Sequence, residues 1–179
     1  AIESERRGYS LEMAVDFVRM QQERIRWNNR NQMQQPPKPV PNQKLEDVIS
    51  TWPAADVPVG VRCSDYMFRP HQLWTITPVE EAGGYLSAPY FKITIAGTER
   101  ALTATADKEL ATVAYHGGAE QLWRIEQLTD GTYRIMPKEI PGMEGTNTRY
   151  CLYSAADSTP TLAVYDFSSD NSKWNIRNH

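Results

Sequence analysis

Three Trp-x-Ile segments recur along the chain at nearly constant spacing. They are Gln72-Leu73-Trp74-Thr75-Ile76, Gln121-Leu122-Trp123-Arg124-Ile125 and Ser172-Lys173-Trp174-Asn175-Ile176. The tryptophans lie 49 and 51 residues apart. Because a Trp and the Ile two residues later point to the same face of a strand, each segment predicts one aromatic and one branched side chain in a shared core. A unit of about fifty residues that occurs three times predicts a pseudo-threefold architecture.

Short β-prone runs separated by turn residues fill the chain from about residue 57 onward. The turn signals are Gly83-Gly84, Gly117-Gly118, Asp130-Gly131 and Pro141-Gly142. Phe91, Ile93 and Ile95 alternate with polar residues, as expected of a strand with one buried face. A further apolar run precedes each tryptophan, so each full repeat is predicted to have about four short strands.

These repeats resemble those of the ricin B-type β-trefoil lectins, which end in a Q-x-W signature. Gln72-Leu73-Trp74 and Gln121-Leu122-Trp123 match it in full, whereas Ser172-Lys173-Trp174 retains only the Trp. The resemblance covers residues from about 44 to 179 and implies a mainly-β fold, a β-trefoil with three pseudo-repeats. It also implies a carbohydrate-binding protein whose partner is a glycan or glycoprotein, either a free lectin or a non-catalytic module of a carbohydrate-active enzyme.

The first repeat departs from this pattern because a proline-rich stretch occupies the place of its opening strand. Pro36-Pro37-Lys38-Pro39 and Pro41 predict an extended linker, since proline fixes φ and removes amide donors. The P-x-x-P spacing also occurs in ligands of aromatic-lined grooves. Either the missing strand is supplied from elsewhere or the trefoil is incomplete.

Residues 1–43 are expected to form a separate N-terminal part, with an amphipathic helix from Ser10 to about Trp27. Its apolar stripe consists of Leu11, Ala14, Val15, Val18 and Ile25, and its polar face of Glu12, Asp16, Arg19 and Glu23. Met13, Phe17 and Met20 form a second apolar side. Such a helix would bind a larger protein subunit or an attached catalytic domain, so a structural or docking role is one alternative function.

The family resemblance implies one shallow sugar pocket per repeat. Its parts are an Asp that accepts sugar hydroxyls, an aromatic ring on which the sugar stacks, and an Asn or Gln near the Q-x-W. The matching residues are Asp47, His71 and Gln72 in the first repeat, Tyr115 and His116 in the second, and Tyr165, Asp166 and Asn171 in the third. Arg62 takes the stacking position of the first repeat, while Thr103 and Tyr153 replace the Asp of the other two.

Structural roles remain open for several of these residues. The three tryptophans are expected in the core rather than at a ligand. Gln72 and Gln121 are expected to satisfy backbone groups rather than to bind a sugar.

A protease inhibitor is a second alternative, because other β-trefoil families block proteases with one exposed loop. The loop at residues 137–145 is braced by Pro137 and Pro141, which would reduce the entropy lost on binding. Lys138 could enter the pocket of a protease specific for basic residues.

Composition and motifs exclude several other classes of function. A net charge of −3 offers no basic face for nucleic acid, and no apolar run is long enough to span a bilayer. His71, His116 and His179 lack metal-ligand spacing, and neither a G-x-S-x-G elbow nor a P-loop is present. We therefore predict no catalytic residue, no metal and no cofactor.

A secreted or extracellular location is expected for a lectin of this kind, and the chain has two cysteines. Cys63 and Cys151 are too few for a disulfide framework. They are expected to be two buried free thiols or, alternatively, one bridge.

Overall fold

The computed structural model describes residues 1–6, 8–15, 48–85, 88–144 and 149–178 of the chain, and these contain twelve β-strands. The strands are β1 Ile2–Ser4, β2 Ser10–Met13, β3 Val59–Ser64, β4 Trp74–Tyr85, β5 Ala88–Ile95, β6 Arg100–Ala104, β7 Leu110–Ala114, β8 Trp123–Gln127, β9 Tyr133–Pro137, β10 Tyr150–Ser154, β11 Pro160–Val164 and β12 Trp174–Ile176. A 3₁₀ helix immediately precedes each tryptophan strand, at Pro70–Gln72, Ala119–Gln121 and Asp170–Ser172.

The strand pairing follows the threefold repeat. Six strands pair in the series β4, β5, β8, β9, β12 and β1. The other six form the antiparallel hairpins β2–β3, β6–β7 and β10–β11. The repeats are therefore β1–β4, β5–β8 and β9–β12, each with a hairpin between two strands of the series. This arrangement confirms the prediction of a mainly-β trefoil with three pseudo-repeats.

Each tryptophan strand is joined to the hairpin of its own repeat by the same hydrogen bond. The indole Nε1 donates to the carbonyl of a buried leucine on the second strand of the repeat: Trp74 to Leu11 at 2.8 Å, Trp123 to Leu102 at 2.9 Å and Trp174 to Leu152 at 2.9 Å. A buried indole N–H needs an acceptor, so this bond fixes the hairpin relative to the core. The tryptophans pack with Ile2, Ile93 and Ile135 of the first strands.

The helix predicted to begin at Ser10 is wrong at its start, because Ser10–Met13 is strand β2. All four of its residues are buried, including Glu12, which the helical pattern placed on the polar face. The strand pairs with both β1 and β3. This pairing satisfies its backbone hydrogen-bonding groups, and it outweighs the local helical pattern of the sequence. Residues 16–27 of the predicted helix and the proline-rich linker lie outside the described residues.

The opening strand of the first repeat is supplied by the N-terminal residues. In β1, Ile2 pairs with Ile176 and Ser4 with Trp174, which brings the two ends of the chain side by side. Of the two alternatives for the first repeat, the strand supplied from elsewhere is therefore the right one. The expected boundary between residues 43 and 44 falls in the stretch from 16 to 47, outside the described residues. Among the parts of the chain that are described, no helix is long and apolar enough to cross a membrane.

Arg100, in the second repeat, anchors the chain segment that precedes β3. Its side chain is 2% exposed, and its terminal nitrogens donate to the carbonyls of Pro53, Ala54 and Val57 at 2.7, 2.5 and 2.9 Å. Burial lowers the pKa of the Arg100 guanidinium, an effect opposed by the negative charge of Asp56. Because carbonyl oxygens replace the lost water, the buried cation is tolerated and holds this segment in place.

Cys63 and Cys151 are both free thiols. Burial raises the pKa of Cys63 to about 12, with a further contribution from the charge of Glu12, and raises that of Cys151 to about 11. Both side chains therefore remain protonated at neutral pH, which makes them weak nucleophiles.

Candidate functional site

The hairpin registers identify which residues are equivalent in the three repeats. Glu12, Thr103 and Tyr153 each follow the core leucine that accepts the tryptophan hydrogen bond. This is the position that the family pattern gives to the sugar-binding Asp. In the first repeat it is filled by Glu12, whereas Asp47, the residue expected there, lies outside the described residues. Sequence analysis did not identify Glu12 as a site residue, because the helical pattern assigned it to the polar face of the predicted helix.

The registers also align three tyrosines at the ends of the third strands. Ser64, Val113 and Ala163 pair with the residues just before the core leucines, and Tyr66, Tyr115 and Tyr165 lie two positions further on. Tyr66, and not Arg62, is therefore the equivalent of Tyr115 and Tyr165. All three tyrosines are half-buried.

Glu12 is enclosed by its own repeat. The side chain is 1% exposed; its Oε2 accepts from Arg62 Nη2 at 2.9 Å and lies 3.0 Å from His71 Nε2, while its Oε1 accepts from Gln72 Nε2 at 3.2 Å. Burial would raise the pKa of Glu12, but the hydrogen bond and charge of His71 and those of Arg62 outweigh it and lower the pKa. The carboxylate is ionised and its oxygens are already occupied, so His71 and Gln72 serve it rather than an external ligand.

The glutamines of the two complete Q-x-W motifs fasten the loops that follow the third strands. Gln72 Oε1 accepts from the amides of Met67 and Arg69 at 2.8 and 3.3 Å, and its Nε2 donates to the Asp65 carbonyl at 2.7 Å. Gln121 likewise accepts from the His116 amide at 2.8 Å and donates to the Ala114 carbonyl at 3.1 Å. Both side chains are almost fully buried, so they hold backbone in place.

In the second repeat a threonine occupies the Asp position, and a lysine covers the ring of the aligned tyrosine. Thr103 Oγ1 donates to the Ala101 carbonyl at 2.9 Å and accepts from Gln121 Nε2 at 3.2 Å. The ammonium of Lys92 lies 4.9 Å from the centroid of the Tyr115 ring. His116 is exposed and pairs with Glu120 of the same loop at 3.0 Å. The structure thus brings Tyr115 and His116 into one loop without a carboxylate at the Asp position.

The third repeat replaces the carboxylate with a neutral pair. Tyr153 accepts a hydrogen bond from Asn171 Nδ2 at 2.9 Å, and Asn171 Oδ1 accepts one from Arg6 at 3.2 Å. Asp166 is exposed, and its Oδ1 accepts from the amide and hydroxyl of Ser168 at 3.0 and 2.6 Å, which closes the turn that carries Phe167. These bonds lower the pKa of Asp166, chiefly through the Ser168 hydroxyl.

An open cavity of about 420 Å³ lies where the third repeat meets the turn between β8 and β9. Its lining combines aromatic rings with charged side chains: Tyr165, Phe167, Glu126, Asp130, Arg134 and Lys173, together with residues 127–129. Phe167 is 81% exposed. Tyr165 is the predicted candidate that lines this cavity, whereas Asp166 and Asn171 are not among its lining residues.

The charged groups of this cavity are held in fixed positions. The guanidinium of Arg134 lies 4.4 Å from the centroid of the Tyr165 ring and is hydrogen bonded to Glu126. Asp130 accepts from the amide and hydroxyl of Thr132 at 2.9 and 2.6 Å and from Lys173 Nζ at 3.0 Å. These hydrogen bonds, first those of Thr132, hold the pKa of Asp130 at about 2. The half-exposed carboxylate is therefore an acceptor at all physiological pH values.

A second open cavity, of about 430 Å³, lies on β4 and β5. It is lined by Thr75, Thr77, Lys92, Thr94, Gly97, Thr98 and Glu99. Its lining has no aromatic ring, so it lacks a surface for the apolar face of a sugar.

The loop proposed for protease inhibition is packed against the protein in its described part, residues 137–144. Lys138 Nζ donates to the Ala82 carbonyl at 3.3 Å and lies 4.9 Å from the centroid of the Tyr90 ring. Ile140 is fully buried. The lysine is engaged by β4 and β5, so this geometry gives no support to a protruding inhibitory loop.

Two exposed phenylalanines were not singled out from the sequence. Phe68 and Phe167 are 75% and 81% exposed, and each stands two residues after the aligned tyrosine of its repeat. The sequence does contain a Tyr-x-Phe spacing in these two repeats. This spacing identifies equivalent residues only once the strand registers have aligned the tyrosines. Among the described residues, no group of His, Cys, Asp and Glu is arranged to hold a metal ion.

One family model matches part of the chain. Residues 70–143 match the family model described as ricin-type beta-trefoil lectin domain-like, which confirms the resemblance drawn from the Q-x-W motifs. The matched segment runs from the first 3₁₀ helix to the loop that follows β9, so it contains the whole second repeat and the first strand of the third. No curated protein sequence matches the chain.

Solved structures extend the similarity in fold to nearly the whole chain. A designed threefold-symmetric protein, ThreeFoil, has a TM-score of 0.60 at 15% identity and covers 99% of this chain and 96% of its own. A GlcNAcα1-4Gal releasing endo-β-galactosidase from Clostridium perfringens has a TM-score of 0.55 at 10% identity. An exo-β-1,3-galactanase from Clostridium thermocellum has a TM-score of 0.55 at 15% identity. Both cover 97% of this chain, which spans 30% and 28% of the two enzymes' chains.

Proposed function

We propose that this β-trefoil, whose residues 70–143 match the ricin-type lectin family, is a carbohydrate-binding module that binds its ligand at the edge of the third repeat. The observation that carries the proposal is the cavity of about 420 Å³ in which the rings of Tyr165 and Phe167 stand beside Asp130, Arg134 and Lys173. Its volume falls within the range of about 300 to 1,000 Å³ that is usual for small-ligand sites.

The chemistry of this lining fits a sugar. A pyranose ring presents an apolar C–H face and a rim of hydroxyl groups, and exposed aromatic rings bind such a face. The ionised Asp130 accepts hydrogen bonds from hydroxyls, while Arg134 and Lys173 donate them. Because Thr132, Glu126 and Tyr165 already fix these groups, little side-chain entropy is lost when a ligand binds.

The structural neighbours indicate which glycans should be tried first. Two of them are enzymes that act on galactose-containing glycans, and this chain corresponds to less than a third of each. We therefore propose a module attached to, or acting with, a carbohydrate-active enzyme, itself without a catalytic role. The proposal includes a secreted or extracellular location, which a secretion signal in the full-length precursor would support.

A glycan array followed by isothermal titration calorimetry tests the proposed function. The first probes are β-1,3-galactan oligosaccharides and GlcNAcα1-4Gal. Phe167→Ala should weaken binding about fivefold to tenfold, the loss expected for one aromatic contact of about 1 kcal/mol. Tyr165→Ala should weaken it by a similar factor.

Tyr115→Ala is the matched control, because Tyr115 is the equivalent residue of the second repeat and is not among the residues that line this cavity. Its binding constant should remain within about twofold of the wild-type value. Wild-type protein that binds no glycan at millimolar concentration would refute the proposed function. Equal losses in Tyr115→Ala and Tyr165→Ala would refute the proposed position of the site.

A further inference from the structure

Phe68 has a backbone conformation that is unfavourable for a phenylalanine. Its φ is 55°, in the left-handed region, and its side chain is 75% exposed. A bulky residue with positive φ is rare, and such a conformation persists only where the surroundings enforce it. Here Gln72 Oε1 accepts hydrogen bonds from the amides of Met67 and Arg69, on both sides of Phe68. The loop therefore holds the exposed ring in one position.

The second repeat shows that this loop can form without a ring. The equivalent position there is Gly117, with a φ of 78°. Glycine adopts this conformation without strain. In the first repeat the same backbone carries a large apolar side chain, which adds strain and leaves most of its surface in water. A contact outside its own chain would offset this cost by burying the ring.

The ring belongs to an exposed apolar surface that we call the first-repeat patch, made of Tyr66, Met67 and Phe68. The ring centroids of Tyr66 and Phe68 are 4.5 Å apart, and Met67 is 60% exposed. Phe68 lines neither of the two cavities described above. Small ligands bind in concave sites, whereas an exposed patch of aromatic residues and methionine is typical of a protein interface.

The charges beside the patch indicate which protein surface fits it. Asp65 precedes the patch and Arg69 follows it, and both side chains are exposed. Gln72 fixes both ends of this loop, since its Nε2 donates to the Asp65 carbonyl and its Oε1 accepts from the Arg69 amide. An apolar centre between one acid and one base is complementary to itself. A twofold axis through the centre places Asp65 of each copy opposite Arg69 of the other.

From these observations we propose that the first-repeat patch is the contact of a symmetric dimer of this chain. The Phe68 rings of the two copies pack together at the axis, and Asp65 pairs with Arg69 in both directions. The contact is small beside the about 20 to 30 residues per partner of a stable complex, so the expected Kd is about 100 µM. Its residues are separate from the third-repeat cavity, and the proposal does not depend on carbohydrate binding.

Sedimentation velocity of the chain without glycan, from about 10 µM to about 1 mM, brackets this Kd and tests the dimer. The wild-type protein should change from monomer to dimer across the range. Phe68→Gly should raise the Kd at least about tenfold, because the central aromatic contact is lost. Misfolding cannot explain that loss, since glycine relieves the strain and the variant should melt no lower than the wild-type protein. Phe68→Tyr keeps the ring and is the matched control, with a Kd within about threefold of wild type.

Exchanging the two charges tests the twofold arrangement. Asp65→Arg alone, or Arg69→Asp alone, places like charges opposite each other in both halves of the contact and should raise the Kd about tenfold. The double variant, Asp65→Arg with Arg69→Asp, restores both pairs with their roles exchanged. Its Kd should return to within about threefold of the wild-type value. Such a rescue in the purified chain is specific to self-association.

Three results would overturn the proposal. They are a wild-type chain that stays monomeric at the highest concentration, which would leave the patch to a different protein, a Phe68→Gly variant that dimerises as well as wild type, and a double charge variant that dimerises no better than the single ones. Failure of the proposed function is distinguishable from these results. A chain that dimerises as expected but binds no glycan would refute carbohydrate binding and support the dimer.

Discussion

The first and third repeats share their strands, their tryptophan hydrogen bond and an aligned tyrosine, but they differ at the position after the core leucine. In the first repeat this position is Glu12, which is buried and bound to Arg62 and His71. In the third repeat it is Tyr153, which is half-buried and accepts a hydrogen bond from Asn171. One scaffold thus supports a buried ionic cluster in one repeat and a neutral polar pair in another.

This difference shows that a buried charge determines which interactions the side chains around it make. An ionised carboxylate with little access to water must be surrounded by donors, and Glu12 takes three side chains of its repeat for this purpose. A neutral hydroxyl needs only one partner. Arg134, the cation beside the third-repeat tyrosine, is therefore available to order the aromatic ring of the proposed ligand site instead.

The largest effect is expected from removing the arginine of the first-repeat cluster. Arg62→Met should lower the free energy of unfolding by about 2 kcal/mol, because Glu12 loses a charge partner while it stays buried. This is less than the value for a fully buried pair, since the Arg62 side chain is 33% exposed. Urea denaturation followed by tryptophan fluorescence measures the change.

Arg69→Met provides the comparison for that measurement, because Arg69 is an exposed arginine of the neighbouring loop. Its unfolding free energy should change by no more than about 0.5 kcal/mol. A similar change in both variants would contradict the assignment of Arg62 as the partner that stabilises Glu12.

A smaller effect is expected when only the charge of Glu12 is removed, and it should depend on pH. The lowered pKa of Glu12 means that its contribution to stability is present above the unfolded-state value near 4.5 and is lost as the pH falls through the lower folded-state pKa. The wild-type protein should therefore exceed Glu12→Gln in stability most at neutral pH, and the difference should shrink in acid. A difference that stays constant from pH 7 to pH 3 would show that the charge is not responsible.

The fold was predictable from the sequence because its main signal is local. Trp-x-Ile at a spacing of 49 and 51 residues marks the last strand of each repeat, and the buried Trp74, Trp123 and Trp174 confirm the core that this pattern predicts. Two residues two positions apart on a strand share a face in any environment. The prediction therefore required no knowledge of tertiary contacts.

The first repeat was not predictable in the same way, since its second and third strands are separated by residues 14–58. In the other two repeats the corresponding turns span residues 105–109 and 155–159. Leu11 and Val15 fit a helical stripe as well as the core of a strand, and only pairing with distant β3 decides between them. A local pattern cannot contain that information.

Candidate residues were predictable where the family pattern names them and not where they depend on strand register. Gln72, Gln121 and Tyr165 were named from the sequence and lie in the aligned loops. Glu12 and Phe68 were missed, because their roles depend on a buried cluster and on a positive φ that no residue type indicates. Asp130 and Lys173 approach Tyr165 only through the fold.

The backbone strain at Phe68 of the first repeat, where φ is positive, can be tested at Gly117, the equivalent and unstrained position of the second repeat. Gly117 has a φ of 78°, and a Cβ added there would meet no atom within 4 Å. Gly117→Ala should therefore lower the free energy of unfolding by about 1 kcal/mol through backbone strain alone. Phe68→Gly should raise it by a similar amount. Thermal and urea denaturation of both variants measure the two changes, and a Gly117→Ala variant as stable as the wild-type protein would remove the evidence for strain at Phe68.

The smallest effect is expected at the neutral pair of the third repeat. Tyr153→Phe removes the hydroxyl that accepts from Asn171 but keeps the ring, and because both residues are half-buried, water can take over the lost bond. The free energy of unfolding should fall by only about 0.5 kcal/mol. Asn171 would still hold Arg6 through its Oδ1, so the neighbouring loop should keep its structure. A loss as large as that of Arg62→Met would mean that the hydroxyl of Tyr153, like the carboxylate of Glu12, stabilises its repeat, and the contrast between the two repeats would then disappear.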